Sequence, residues 1–393
     1  MKAGKALWIL AFVCLIDAIG FGIMVPLIYS YGKQFGVNKT VLGFLTASFS
    51  VAQFFAGPLL GRLSDRWGRK LLLVACLLGT AAGFVLFGLA GSLVVLFAAR
   101  IIDGATGGDI AIAQAMIADI SSGKDRTKFF GILGSAFGLG YVIGPAAGGL
   151  LSRFGMSVPF FFAGGLSVLA ALLSIFFLKE TNGGKKKDKD SGVNSFSYRA
   201  LIEVIKCPVV GPAVLSGFLL TTAQIVMLIG FQTFCADALQ LSPTQVGLFY
   251  AGFGISGIIM QLAIPLINKI TKARSVILMV STIICLGALI WAGLISTMVP
   301  FAIGIGIYGL FNGLRNPMLN AIIADHSKAG EEGELMGINQ SYTSIGQALG
   351  PAMAGAAAAV SLHTPFFLSG ALMLAGLGIV FRLKTQESPA GKN

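Results

Sequence analysis

The sequence predicts an all-α polytopic membrane protein with twelve transmembrane helices in two pseudo-symmetric six-helix bundles. Three observations predict it. The 393-residue chain is 55% hydrophobic and only 11% charged, with a mean hydropathy of +0.86, whereas a soluble domain carries roughly 25% charged residues. Apolar runs long enough to cross a bilayer as helices recur along the whole chain. Landmarks of the first half return in the second at an offset near 206 residues.

The expected spans are 7–30, 41–60, 71–90, 93–120, 129–151, 159–178, 209–235, 244–267, 276–294, 299–324, 335–360 and 364–383. They place domains at 1–180 and 207–393, joined by a cytoplasmic linker at 181–206. The net charge of +12 follows this topology. With both termini cytoplasmic, Lys33, Lys39 and Arg153 fall outside and Arg100 and Arg315 fall within spans; every other Lys and Arg collects on the cytoplasmic side. The basic excess is therefore a topology signal, and no nucleic-acid partner is expected.

The first run follows Lys2 and Lys5. It is too long for the apolar region of a signal peptide, lacks a small-residue cleavage site and precedes eleven more spans, so it is read as a retained helix. Asp17 sits near its middle, where a carboxylate is costly and usually faces a bundle interior or a watery cavity. It is either functional or a hydrogen-bonded packing residue. Gly20 and Gly22 allow close packing, and Pro26 allows a kink.

Between the second and third spans, residues 61–70 read G-R-L-S-D-R-W-G-R-K. Arg62, Arg66, Arg69 and Lys70 carry positive charge, and Asp65 alone is negative. Gly61 and Gly68 permit a tight turn or a close helix approach. The bland reading is an ordinary basic loop. The sharper one is a signature: G-x-L-[AS]-D-[RK]-x-G-[RK]-[RK] marks the major facilitator superfamily, and this stretch matches it at every position. The chain thus resembles that superfamily. The resemblance implies the major facilitator fold and a conformational latch of Gly61, Asp65, Arg66, Gly68 and Arg69. In it Asp65 binds a basic partner, Arg126, and the positive amino end of the eleventh helix, which stabilises an outward-facing state.

The fourth span holds Arg100, Asp103 and Asp109. Arg100 and Asp103, three apart, share a helix face and can pair. The pattern Arg100-x-x-x-Gly104-x-x-Gly107-Gly108 resembles the superfamily's fourth-helix motif, which implies proton transfer at Arg100; a structural pair is the alternative. Asp109 has no charged neighbour one turn away, so its partner is expected on another helix. In the fifth span, Gly140, Gly144, Pro145, Gly148 and Gly149 resemble the motif of the antiporters, which are exporters. The other reading is a glycine-rich packing face.

The linker carries the run Lys185-Lys186-Lys187-Asp188-Lys189-Asp190, lacks apolar periodicity and reads as flexible. After it the repeat begins. Asp119-Ile120-Ser121 returns as Asp325-His326-Ser327, and Gly131, Gly140, Gly144, Pro145 and Gly149 return as Gly337, Gly346, Gly350, Pro351 and Gly355. The charged loop returns in degraded form at 269–274, without its aspartate. Such a parallel repeat points to a substrate site near mid-membrane between the halves. Asp109 maps onto Arg315. The two either switch partners during transport or form a fixed pair. Asn312, Asn316 and Asn320 are expected as a polar stripe on one helix face. With Gln224 and Gln232 of the seventh span, they extend the candidate substrate-binding set of Arg315 and Asp109.

Within the superfamily, residues 100–149 resemble the twelve-helix drug:proton antiporters, nearest the tetracycline exporters. Those carry an acid where this chain has Gly83, a histidine at Gly257 and an acid in the ninth span. Their loss, with the gain of Asp109 and Arg315, turns the expectation from tetracycline towards a substrate with an anionic or zwitterionic group.

No G-x-x-x-x-G-K-[ST] loop is present. His326 and His363 are expected near opposite membrane faces, and Cys14, Cys76, Cys207, Cys235 and Cys285 are scattered, so neither a metal site nor an enzyme's catalytic residues are expected. The expected function is proton-coupled export of small amphipathic compounds by alternating access. It is driven by the proton gradient without a bound cofactor, with Asp17, Asp109, Arg100 and Asp103 coupling protons. The expected setting is a bacterial plasma membrane, and the expected state a monomer. Transport of a specific anionic or zwitterionic metabolite, lipid or siderophore is one alternative; a non-transporting receptor or scaffold is another.

Overall fold

The computed structural model describes residues 3–121, 123–181, 198–271, 273–326 and 332–386. Its helices are α1 (Ala3–Gly32), α2 (Lys39–Trp67), α3 (Arg69–Gly88), α4 (Leu93–Thr106), α5 (Asp109–Ile120), α6 (Gly123–Leu151), α7 (Val158–Phe177), α8 (Tyr198–Ile205), α9 (Val210–Asp237), α10 (Pro243–Leu262), α11 (Ile264–Ile270), α12 (Arg274–Leu294), α13 (Met298–Asn312), α14 (Arg315–Asp325), α15 (Glu332–Val360) and α16 (Thr364–Gln386). The side chain of Arg126, the run 185–190 and Ser327 lie outside the described residues.

Among the described residues, ten segments are long and apolar enough to cross a membrane. The expected spans 93–120 and 335–360 are not among them, for different reasons. The first is diluted by the charges of Arg100, Asp103, Asp109 and Asp119; its interruption between α4 and α5 is not the reason, since Met298–Asp325 is interrupted likewise and still qualifies. The second is one continuous helix of 29 residues, α15, whose apolar character is diluted by the run Asn339-Gln340-Ser341-Tyr342-Thr343-Ser344. The linker also differs from expectation. Its last residues form α8, where Ile202, Val204 and Ile205 supply apolar side chains and Val204 is buried.

The chain divides into two compact units, Met1–Lys187 with Gln240–Gly252, and Asp188–Leu239 with Phe253–Asn393. In the first, α1 packs on α6, α3 on α7 and α2 on α4. Leu10, Leu73, Met116, Ile117 and Ala170 form its core. Tyr31, Phe87 and Phe160 close one end, and the Tyr31 hydroxyl donates to the Gly88 carbonyl at 3.1 Å. The start of α10 joins this unit through Thr244, whose hydroxyl donates to the Gly149 carbonyl at 2.6 Å. In the second unit, α9 packs on α15 and α16, and α12 on α13 and α16. Its aromatic cluster is Phe231, Phe234, Phe301 and Phe366. Phe160 and Phe366 stand at the repeat offset, so each unit buries the same aromatic position.

Large apolar side chains such as Phe55, Leu59, Leu262 and Phe381 are exposed. In water such a surface would aggregate; in a bilayer it is the lipid face.

Candidate transport site at two helix breaks

The ionisable side chains inside the spans gather where a helix is interrupted. In the first unit, α4 stops at Thr106 and α5 begins at Asp109, with Gly107 and Gly108 between. The Gln53 amide of α2 donates to the Gly107 carbonyl at 2.8 Å, satisfying a carbonyl that the break leaves without a helical partner. Asp109 is the first residue of α5 and is 1% exposed. Its carboxylate lies near its own N–H and that of Ile110, at a helix start where the dipole favours negative charge. Asp17 of α1 lies within side-chain hydrogen-bonding reach of it. Two carboxyl groups hydrogen-bond to each other only when one holds a proton. Asp109 Oδ2 is buried without a partner, a position that a transferred proton or a bound donor can use.

Asp103 lies on α4 and is held by Arg100, whose Nη1 donates to its Oδ2 at 2.7 Å. Both are buried, and the Arg100 guanidinium lies 4.3 Å from the centre of the Phe49 ring. Arg100 Nε is buried without a partner. The same geometry accounts for Gly83. A Cβ there would lie 2.8 Å from the Asp103 Cβ and 3.2 Å from the Ala99 carbonyl, so an acid at 83 and the observed Asp103 compete for one space.

In the second unit, α13 stops at Asn312 and α14 begins at Arg315, with Gly313 and Leu314 between. Gly313 lies against Gly257 of α10, whose carbonyl oxygen would be 2.5 Å from any Cβ at 313. Arg315 is 5% exposed. Its Nη1 donates to the Leu220 carbonyl at 2.5 Å, its Nη2 to Gln224 Oε1, and its Nε to Asn316 Oδ1 at 3.3 Å. All three acceptors are neutral. The expected asparagine stripe is split by the break. Asn316 and Asn320 share a face of α14, and Asn320 accepts from the Asn339 amide at 3.2 Å. Asn312 belongs to α13, with its Oδ1 buried and unpartnered. Gln232 is buried two turns along α9 from Gln224, about 12 Å away, so the two glutamines do not meet at one point.

The 61–70 segment is tied down within the first unit. Arg69 pairs with Asp65 at 2.6 Å and with Asp119 at 3.1 Å, and donates to the Ser64 hydroxyl at 2.9 Å. Glu180, 110 residues further on, caps α3 by accepting from the N–H groups of Arg69 at 2.9 Å and Lys70 at 3.1 Å. Gly68 has φ +107°, and a Cβ there would meet the Glu180 carboxylate. Arg66 is exposed, and Gly61 has nothing against its Cβ position. The second unit keeps part of this arrangement, with Arg274 ion-paired to Asp325 and donating to the Ala321 carbonyl at 2.7 Å. Asp119 and Asp325 are the repeated acids.

The fifth-span glycines bring α6 onto the backbone of α1. A Cβ at Gly144 would lie 2.6 Å from the Ile19 carbonyl oxygen, and one at Gly22 would lie 2.8 Å from Pro145 Cδ. Gly140 and Gly148 also face α1, at Ala18 and Ile23, while Gly149 faces Pro243 and Thr244.

Helical units of lipid-facing spans, with charges buried at breaks rather than on the surface, define a polytopic membrane transporter. The chain belongs to the Major Facilitator Superfamily, whose sequence pattern matches residues 7–307 and 213–393. It is 28% identical to multidrug resistance protein 2 of Bacillus subtilis, covering 95% of this chain and 93% of that protein. It is 30% identical to the class C tetracycline resistance protein of Escherichia coli, covering 93% and 92%. Its fold is similar to that of a bacterial homologue of the human lysosomal transporter Spinster, with TM-score 0.77 at 15% identity over 98% of this chain and 96% of that one.

Proposed function

We propose that this multi-pass membrane protein is a proton-coupled exporter of small amphipathic compounds. The observation that carries the coupling is the pair Asp17–Asp109, two carboxyl groups from different helices within hydrogen-bonding reach of each other. One proton shared by two carboxyl groups is easily lost or regained when helices move, because the pair needs only a small change in separation to release it. Arg100 and Asp103 stand beside it as a buried ion pair that fixes the α4 end of the break. The two full-length relatives named for multidrug and tetracycline resistance support export, as do the α1–α6 glycine contacts of the antiporter motif. The 61–70 segment would act as the cytoplasmic latch, with Arg69 holding Asp65 and Asp119 together. The setting is a bacterial plasma membrane with both termini cytoplasmic, and the working unit is a monomer that uses the proton gradient and no bound cofactor.

The test is transport in proteoliposomes under an imposed proton gradient, with ethidium and a panel of amphipathic dyes. Wild type should accumulate dye against its gradient and collapse the proton gradient in doing so. The reading fails if dye moves at the same rate with the gradient abolished.

A further inference from the structure

We propose that Arg315 anchors a monoanionic group, a carboxylate above all, so that the compounds this protein handles include amphipathic organic acids. The proposal deepens the transport reading above and rests on it for its setting. Arg315 is 95% buried, and within its own unit it has no carboxylate partner among the described residues. The titratable groups whose field it feels are Tyr308 and Cys285, both uncharged. It also opens α14, where the unsatisfied backbone N–H groups add positive potential instead of offsetting it. A buried charge lacking a counter-charge is expensive inside a membrane protein and marks a site whose partner arrives from outside.

The surroundings select the sign and size of that partner. A guanidinium has donors only, so Gln224 and Asn316 must turn their oxygens towards it. Their NH2 groups remain as donors, and Arg315 keeps N–H bonds beyond the three it uses. The Tyr308 hydroxyl, buried and without a partner, is a further donor in the same field. Asn316 is exposed and Gln224 half-buried, which leaves an approach on their side. One fixed cation with neutral donors matches a single negative charge spread over two oxygens; a phosphate dianion would remain half-neutralised.

Binding of 1-naphthoate and of 1-naphthylmethylammonium to the purified full-length protein tests this, because the two probes share a ring system and differ in charge. In Arg315→Gln the naphthoate-to-ammonium affinity ratio should fall about tenfold or more. Gln224→Glu is the second variant, chosen because it keeps the arginine and supplies it with an internal counter-charge. It should raise the thermal midpoint and lower the naphthoate ratio to a similar extent. An unchanged ratio in both variants overturns the anchor, as does a wild type that binds no naphthoate at millimolar concentration. The readout is binding, so it stands apart from the export assay: a protein that binds naphthoate through Arg315 but moves no dye would reject the transport reading and leave the anchor in place.

Discussion

The two helix breaks share a frame and carry opposite charge. Gly107 and Gly108 precede Asp109, and Gly313 and Leu314 precede Arg315, at the same repeat positions. Each charged residue is the first of a new helix. For Asp109 the helix dipole contributes about 0.3–1 kcal/mol of stabilisation, and for Arg315 it subtracts a similar amount. Asp109 is therefore matched by its backbone and supplemented by Asp17. Arg315 is mismatched by its backbone and held by a carbonyl and two amides. Duplication supplied one scaffold, and the side chain at its break gave the two copies opposite charge: an acid near Asp17 in one, a cation held by neutral acceptors in the other.

Breaking the acidic side should have the largest effect. Asp109→Asn keeps size and can still hydrogen-bond, but it cannot carry a proton to and fro. Proton-driven dye transport should drop to the level of empty liposomes while the variant elutes and melts like wild type. Full transport by Asp109→Asn would sink the assignment of the carboxyl pair.

The next effect concerns packing rather than charge. Gly144→Val forces atoms into the α1 backbone at Ile19 and Gly22, which cannot move aside. The expected cost is about 1–3 kcal/mol, measurable as a lowered thermal midpoint. The repeat-equivalent Gly350→Ala meets the Ile225 side chain at 2.7 Å instead of backbone. Its expected cost is the smaller, because a side chain can shift where backbone cannot, and an effect as large as that of Gly144→Val would erase this distinction between the units.

The smallest effect is expected at the Arg–Asp ties. Arg274→Gln removes a half-exposed pair and should cost about 0.2–1 kcal/mol. Arg69→Gln removes contacts to Asp65, Asp119 and Ser64 together, so its melting shift should exceed that of Arg274→Gln. Equal shifts would mean that Asp65 adds nothing to the first unit's version.

The family, the helical architecture and the repeat were legible because they rest on long apolar periods and on a ten-residue motif. The Arg100–Asp103 pair was legible because three-residue spacing alone places it. The breaks were not. In a span rich in small residues, a glycine that interrupts the helix reads the same as one that admits a neighbour. What separates Gly107 from Gly104 is the Gln53 side chain on α2, and nothing near residue 107 announces it. The asparagine stripe was misjudged for the same reason, since helical spacing does not continue through Gly313 and Leu314. Glu180 escaped notice, and Asp119 stood only as a landmark of the repeat, because Arg69 lies 111 and 50 residues from them and only tertiary structure brings a carboxylate to it over such separations.

The cap at Glu180 bears on anyone who wishes to divide this gene. Thr181 still belongs to the first unit, donating its hydroxyl to Asp119 at 3.1 Å just after Glu180 closes α3. A fragment ending at Leu178 would contain six apolar spans yet leave the start of α3 uncapped. Two co-expressed pieces, or a protease site or fluorescent tag inserted between them, should keep Thr181 on the first piece.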